Sequence, residues 1–286
     1  MAYIDICMHP YFLHYFVLRF KAKYPNFAKQ DSKFTVMKHI YLCLIIIVTC
    51  ILSSCNLGGG KKGVLPKELV QAENIMYENP DSALHILQAM PIPTEKEAHA
   101  TWALFLTQAR YKCDVKQSDS LLNIAYDYFM EGDNAQRKAL VLYHKGVFPN
   151  EKNQVDSALP YYLQASEFVE NSNDFKLSYL IYNHIGTIYR FRNLENYTLD
   201  YYEKANKAAL LSQDSYYIND SYINLARVNA MQKKYENAIK FYIMVIELAK
   251  ENNDQKNLVI ALTELAGVHL REKNYSKAIH NLYDAL

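Results

Sequence analysis

The sequence has 286 residues, half of them of hydrophobic type, with 31 Lys and Arg against 30 Asp and Glu and a formal net charge of +1. Nothing in this balance indicates the strongly basic surface that nucleic-acid-binding proteins present. The length suffices for one elongated domain with a continuous core. The 25 tyrosines are interpreted mainly as packing residues whose hydroxyls reach water.

The first segment, residues 1–36, shows no clear hydrophobic period. Met37 is followed by Lys38 and His39 and then by an uncharged run from Ile40 to Leu52. That run is short for a membrane span and typical of the core of a signal peptide. Because a signal peptide belongs at the N-terminus, we predict that translation begins at Met37 and that residues 1–36 are an upstream extension without folded structure. An uncut signal anchor is the alternative.

The tetrapeptide Leu52–Cys55 resembles the lipobox of bacterial lipoproteins, in which the cysteine is lipidated and becomes the mature N-terminus. The resemblance implies a signal peptide over residues 37–54, lipid on Cys55 and a lipid-anchored place in the cell envelope. Residues 55–64, which are rich in glycine, are predicted to form a flexible tether. No acid occurs between Cys55 and Glu68. An acidic stretch there sends lipoproteins of Bacteroidota to the cell surface, so the periplasmic side is favoured.

Only Cys55 and Cys113 of the five cysteines follow the predicted cleavage site. If Cys55 carries lipid, Cys113 has no partner for an internal disulfide. Cys113 is interpreted as a small residue near the end of a helix, and a reactive thiol is the alternative.

Residues 65–93 are predicted to form two short helices. Pro66 suits the first turn of a helix, and apolar residues follow it at helical spacing. Asn79-Pro80 interrupts this pattern, and a second apolar stripe ends at Met90.

A pattern with a period of forty residues fills the chain from about residue 99 to residue 286. In each unit a large residue is followed by a small residue four positions later, and a second small residue precedes a Tyr or Leu by four. The first small position holds Gly146, Gly186, Ala226 and Ala266; the second holds Ala158, Thr198, Ala238 and Ala278; the large position after it holds Tyr162, Tyr202, Tyr242 and Leu282. In the unit before these, Leu106 replaces the first small residue. Because helices approach closely only where side chains are small, each Gly or Ala is predicted to face its partner helix, with the Tyr beside it.

This spacing resembles the tetratricopeptide repeat, a helix-turn-helix unit that is usually 34 residues long. The resemblance covers about residues 65–286. It implies an all-α, right-handed superhelical solenoid of helix pairs, with an atypical first pair over residues 65–93 and five units of forty residues over about 99–286. The six extra residues in each unit are predicted to lengthen the helices or the turns. Because Leu286 falls within the second helix of the last unit, that unit is expected to be incomplete and the chain to be a fragment.

Turn signals recur at the same period, at residues 131–134, 171–174, 212–214 and 252–254. The pairs Asp81-Ser82 and Asp156-Ser157 are interpreted as helix N-caps.

The resemblance also implies a function, because this family binds protein or peptide partners in a concave groove lined by the first helix of each unit. The groove-facing candidates are Arg110, Tyr143, Asn150, Asn183, Thr187, Arg190, Asn224 and Arg227. The Lys and Asn pair with which the family clamps C-terminal carboxylates is missing at the corresponding positions. Arg190 and Arg227 are candidates for binding an acidic group, and solvated rim charges are the alternative.

No catalytic motif, cofactor motif or metal motif occurs in the sequence. His144 and His184 recur at one position of successive units, which lie about 10 Å apart or more, so we expect groove or surface histidines and no shared metal. We therefore predict a membrane-tethered binding protein without cofactor, enzymatic activity or nucleic-acid binding. The alternative is the exported sensory part of a membrane-bound transcriptional regulator, which a transmembrane run and a DNA-binding domain downstream of Leu286 would identify.

Overall fold

The computed structural model describes residues 64–116, 119–151, 154–170 and 172–286. The predicted upstream extension, the signal peptide, the lipid site at Cys55 and residues 55–63 of the tether lie outside the described residues. Within those ranges the chain forms twelve α-helices and no strand. The helices are α1 Lys67–Ile75, α2 Pro80–Ala89, α3 Lys96–Lys112, α4 Asp119–Glu131, α5 Ala135–Glu151, α6 Val155–Val169, α7 Phe175–Phe191, α8 Glu195–Ser212, α9 Ser215–Met231, α10 Tyr235–Glu251, α11 Gln255–Arg271 and α12 Tyr275–Asp284.

The helices pack as six consecutive pairs, from α1–α2 to α11–α12. Each second helix contacts the first helix of its own pair and the first helix of the next pair, as α8 does with α7 and α9. Neighbouring first helices also contact each other, as α3 does with α5 and α7 with α9. The core therefore runs as a strip along the stack, and the predicted all-α solenoid is confirmed.

The forty-residue period reappears in the helix boundaries. The first helices α5, α7, α9 and α11 begin at Ala135, Phe175, Ser215 and Gln255, and each is 17 residues long. Each of these helices is capped by a side-chain oxygen that accepts a backbone N–H of its first turn at 3.0–3.1 Å. The capping residues are Asn134, Asp174, Asp214 and Asp254 respectively. The six extra residues in each unit thus lengthen the helices.

Left-handed residues close many of the helices, and they follow the same period. Asn193, Lys233 and Lys273 have φ values of 56°, 60° and 61° and lie between the two helices of successive pairs. Gln213 and Asn253, with φ values of 56° and 55°, lie between pairs. A left-handed residue after a helix lets backbone N–H groups at the turn satisfy the last carbonyls, and the turns at Asn193, Lys233 and Lys273 share this arrangement.

The two N-caps predicted from Asp-Ser pairs are wrong. Asn79 caps α2, since its Oδ1 accepts the Ser82 N–H at 3.1 Å. Pro80 occupies the first helical position, which suits proline and leaves the cap one residue before it. The side chain of Asp156 caps nothing and instead accepts a hydrogen bond from the Arg192 guanidinium.

The predicted contact between small residues and tyrosines is confirmed. Gly146 lies against Tyr162, and Gly186 lies against Tyr202. A Cβ atom added at Gly146 would stand 2.6 Å from Cε1 of Tyr162, and one added at Gly186 would stand 2.6 Å from Cδ1 of Tyr202. Each glycine therefore lets a whole aromatic ring reach the backbone of the first helix.

The largest fully buried side chains of the described residues are tyrosines, headed by Tyr143, Tyr162, Tyr179, Tyr202 and Tyr242. The expectation that tyrosine hydroxyls reach water is wrong for this set. The Tyr179 hydroxyl donates to Asp220, the Tyr202 hydroxyl lies 3.2 Å from Oγ1 of Thr187, and the Tyr242 hydroxyl donates to Glu264 at 2.7 Å. These rings fill the core, and the hydroxyls of Tyr179, Tyr202 and Tyr242 meet polar groups of the first helices.

Within the described ranges, no helix combines the length and the apolar character that crossing a membrane requires.

Candidate binding face on the first helices

The predicted groove positions on α7 and α9 form a polar surface, which we call the first-helix face. It consists of Asn183, Thr187 and Arg190 on α7 and Asn224 and Arg227 on α9. Each of the five side chains makes a hydrogen bond to a neighbouring helix of the stack. The face is therefore positioned by the packing of the helix pairs.

An amide pair links the two helices. Nδ2 of Asn224 donates to Oδ1 of Asn183 at 3.0 Å. Asn224 is 8% exposed, whereas Asn183 is partly exposed. Because the Asn183 amide uses its acceptor in this bond, its N–H donors are directed elsewhere and can meet an incoming carbonyl oxygen.

A tyrosine from α8 supports the second group of the face. The Tyr202 hydroxyl lies 3.2 Å from Oγ1 of Thr187 and accepts from Nε of Arg190 at 3.3 Å. The Arg190 guanidinium also lies over the Phe191 ring, 4.6 Å from its centre. No carboxylate among the described residues lies within ion-pair distance of Arg190. Its positive charge is held in place and available to a ligand.

Arg227 is held differently, because Glu264 of α11 neutralises it. Nε of Arg227 donates to Oε2 of Glu264 at 2.9 Å, and the Tyr242 hydroxyl donates to the same carboxylate. The hydrogen bond to Glu264 raises the pKa of Arg227 above its ordinary value. Of the two arginines considered as sites for an acidic group, Arg190 is thus free of an acid partner and Arg227 already has one.

Three predicted groove residues stand apart from this face. Tyr143 on α5 is 2% exposed, and its hydroxyl lies 3.3 Å from Nε2 of His184. Arg110 on α3 is partly buried, and its Nε has no hydrogen-bond partner among the described residues. Asn150 is partly exposed near the end of α5. No hydrogen bond or ion pair in the described part of the chain joins these three side chains to the face.

One of the two recurring histidines, His144, is buried. His144 is 1% exposed, so the interpretation as a groove or surface histidine is wrong for it. The Tyr143 ring lies between the two imidazoles, with its centre 5.1 Å from that of His144 and 5.6 Å from that of His184. The described residues contain no cluster of three or more His, Cys, Asp or Glu that could hold a metal ion.

Cys113 directly follows the last residue of α3, and burial raises the pKa of its thiol, which leaves it less reactive.

Residues that sequence reasoning missed include Asp220 and Glu264. One signal could have found Asp220. Three polar contacts between successive first helices join residues 41 positions apart, namely Tyr143 with His184, Tyr179 with Asp220 and Asn183 with Asn224. One repeat plus one residue is therefore the offset at which neighbouring first helices meet.

Comparison with known proteins supports the fold. Residues 217–286 match the family model of the tetratricopeptide repeat. Among solved structures, the apo form of RapI has a TM-score of 0.63 at 14% identity, over 77% of this chain and 64% of that chain. BtubC from P. vanneervenii has a TM-score of 0.57 at 14% identity, over 77% of this chain and 85% of that one. The STAND protein PH0952 from Pyrococcus horikoshii, which has a tetratricopeptide repeat sensor, has a TM-score of 0.61 at 17% identity, over 75% of this chain and 34% of that chain. This chain thus spans less than two thirds of RapI and about a third of PH0952. No curated protein matches the sequence.

Proposed function

We propose that this chain binds a protein or peptide along the first-helix face, as a scaffold or assembly factor and not as an enzyme. The observation that carries the proposal is the fixed, acid-free guanidinium of Arg190, which lies one turn from Thr187 and two turns from Asn183 on the same helix. An extended peptide presents backbone N–H and C=O groups in alternation, and amide and hydroxyl side chains can bind both. The matched repeat family and the helical-repeat fold are typical of interaction scaffolds.

Charge selects the expected partner. Arg190 offers a planar cation that can donate two parallel hydrogen bonds to a carboxylate, while Arg227 is neutralised by Glu264. We therefore expect the partner segment to carry an acidic residue that reaches α7. The partner's remaining contacts are expected to be polar, at Asn183 and Thr187.

The Arg190→Gln variant is expected to bind acidic partner peptides at least about tenfold more weakly, because a hydrogen bond to a charged group contributes about 1.5–3 kcal/mol. Peptides would first be selected on the full chain from a random display library, and their Kd measured by fluorescence anisotropy. Lys240→Gln, at an exposed lysine of the second helix α10, removes the same charge elsewhere. Selection of no peptide would contradict the proposal, and so would equal losses in the two variants.

We also propose that lipid on Cys55 holds the protein on the periplasmic side of an envelope membrane, with translation starting at Met37. The proposal rests on the Leu52–Cys55 motif and the uncharged run before it. We expect the membrane-bound protein to begin at Cys55 with a diacylglycerol group, and Cys55→Ser to remain unprocessed. Intact-mass spectrometry of the membrane fraction tests this. An N-terminal peptide that contains Phe12 or Tyr24 would reject the Met37 start, and an unmodified Cys55 would reject the anchor.

A further inference from the structure

A small cavity lies between the first helices α3, α5 and α7, and no residue of the first-helix face lines it. It has a volume of about 100 Å³. Polar side chains of three helices and of the loop after α1 line it, namely Tyr77, Tyr111, Lys112, Tyr143, His144 and His184. Gln108 is the remaining polar lining residue, and Leu140, Leu177 and Leu180 form the aliphatic part of the wall. A mostly apolar pocket with a few convergent polar groups is the usual form of a small-molecule site.

The most buried polar residue of the cavity lining lacks a hydrogen-bond partner among the described residues. His144 is 1% exposed, and neither of its ring nitrogens has a hydrogen-bond partner among the described residues. The rings of Tyr111 and Tyr143 hold the imidazole at centre-to-centre distances of 5.7 Å and 5.1 Å. A neutral imidazole carries one N–H donor and one acceptor, and leaving such groups unpaired in a protein interior costs about 1–3 kcal/mol. Few buried groups in folded proteins are left unpaired.

The charged residue that lines the cavity, Lys112, is positive. Lys112 has no carboxylate within ion-pair distance among the described residues, and its Nζ lies over the Tyr77 ring, 4.4 Å from the centre. Two nearby acids are held by other groups. Asp214 binds Lys176 at 2.8 Å, and Asp174 caps α7 and accepts from Gln136. No Asp or Glu is among the lining residues, so an anion entering the cavity meets no like charge.

Size limits the rest of the ligand. A cavity of about 150 Å³ holds a benzene molecule, whereas this cavity has about 100 Å³. The space is still several times what a single water needs. It therefore suits a branched chain of three or four carbon atoms better than an aromatic ring.

We propose that this cavity binds a carboxylate on a short alkyl chain. The carboxylate lies between Lys112 and the N–H of His144, and the alkyl group packs on Leu140 and Leu180. The carboxylate can belong to a free short-chain acid or to the C-terminal residue of a peptide. The site does not depend on the partner binding proposed for the first-helix face, which uses other residues.

Isobutyrate, and its neutral isostere isobutyramide, provide the test. Each is titrated into the full chain labelled with ¹⁵N-histidine, and the imidazole nitrogen resonances are followed by NMR. We expect isobutyrate to shift the His144 and His184 signals saturably and isobutyramide to bind at least about tenfold more weakly, because the charge-assisted hydrogen bonds are lost. Absence of a saturable shift, or equal binding of the two compounds, would overturn the proposal. A structure of the isobutyrate-soaked protein with water alone in the cavity would also overturn it.

Variants localise the effect. Lys112→Met keeps the aliphatic stem and is expected to weaken isobutyrate binding about tenfold. Lys145→Met is the matched control, because Lys145 also lies over a tyrosine ring, that of Tyr126 at 5.0 Å, but outside the cavity. Equal losses in both variants would reject the site. His144→Phe assigns the His144 signal and should abolish binding; if it fails to fold, the lysine pair still decides.

Peptides distinguish the two sources of the carboxylate. A short peptide that ends in a free valine carboxylate is compared with the same peptide ending in an amide, each in competition with isobutyrate. Displacement by the free acid alone assigns the site to a peptide end, and displacement by neither assigns it to a free acid. Both outcomes support the cavity. If Arg190→Gln failed to weaken the binding of any selected peptide, the proposed first-helix face would be rejected, but the isobutyrate result for the cavity would still stand.

Discussion

Lowering the pH from 7.5 to 5 is expected to reduce the free energy of unfolding by about 4 kcal/mol through two histidines alone. Burial, with a smaller contribution from the Lys112 charge, lowers the pKa of His144 from 6.5 to about 3. Burial also lowers the pKa of His184 to about 4. Each histidine contributes roughly 2 kcal/mol of this change, and His184 somewhat less because it is partly exposed.

The sign follows from which state takes up protons. Both pKa values are lower in the folded chain than in the unfolded one, so the unfolded chain binds more protons as the pH falls. The stabilisation is therefore complete above the unfolded pKa of about 6.5. It is lost as the pH drops from there toward the folded values of about 4 and 3.

Urea unfolding at a series of pH values, followed by the fluorescence of the single tryptophan, Trp102, measures this effect. The double variant His144→Leu/His184→Gln is the control, because it removes both titrating rings and keeps the other histidines. Its stability should fall less steeply than that of the native chain between pH 7.5 and pH 5. Parallel pH profiles for the two proteins would show that these rings are not buried in neutral form.

Adding one methyl group at Gly186 is expected to have the second-largest effect. The Cβ of Gly186→Ala would stand 2.6 Å from a carbon of the Tyr202 ring, and Gly267→Ala would meet nothing within 4 Å. Overpacking costs about 1–3 kcal/mol, whereas alanine at an open helical position is favoured by about 1 kcal/mol over glycine. We therefore expect Gly186→Ala to be less stable than Gly267→Ala by about 1–3 kcal/mol or slightly more.

Denaturant unfolding of both variants measures this difference, and Gly267→Ala controls for helix propensity. The Tyr202 ring cannot shift freely, because Thr187 and Arg190 hold its hydroxyl. In the next unit Ala226 stands at the equivalent position beside Tyr242, whose hydroxyl is tied to Glu264 instead. Equal stabilities for the two alanine variants would mean that the glycine does not admit the ring.

The parts of this fold that could be predicted are those set by local spacing. Gly146 and Gly186 predict close contact between the two helices of a pair. The tyrosine four residues after the next small position needs space, and the missing side chain of the glycine provides it. The polar turns were predictable too, since Asp174, Asp214 and Asp254 recur at forty residues and can cap helices wherever they occur.

What could not be predicted depends on how neighbouring units are rotated against each other. Glu264 pairs with Arg227 of the preceding unit, at a separation three residues shorter than the forty-residue repeat. Nothing in the sequence of either unit alone indicates that pairing. The tyrosine hydroxyls looked solvent-exposed because the sequence shows the ring position and not the partner at its far end. The cavity depends on Tyr77, which comes from the atypical first pair and lies near Lys176 of α7, 5.4 Å from ring centre to Nζ.

The contact between the first-helix glycine and the second-helix tyrosine is the central claim, because it sets both the stacking and the polar face. A double-mutant cycle of Gly186→Ala, Tyr202→Leu and the combined variant tests it by denaturant unfolding. We predict that the double variant loses less free energy of unfolding than the two single variants lose together, by about 1 kcal/mol or more, because the smaller leucine makes room for the methyl group. Additivity within about 0.5 kcal/mol would contradict the contact.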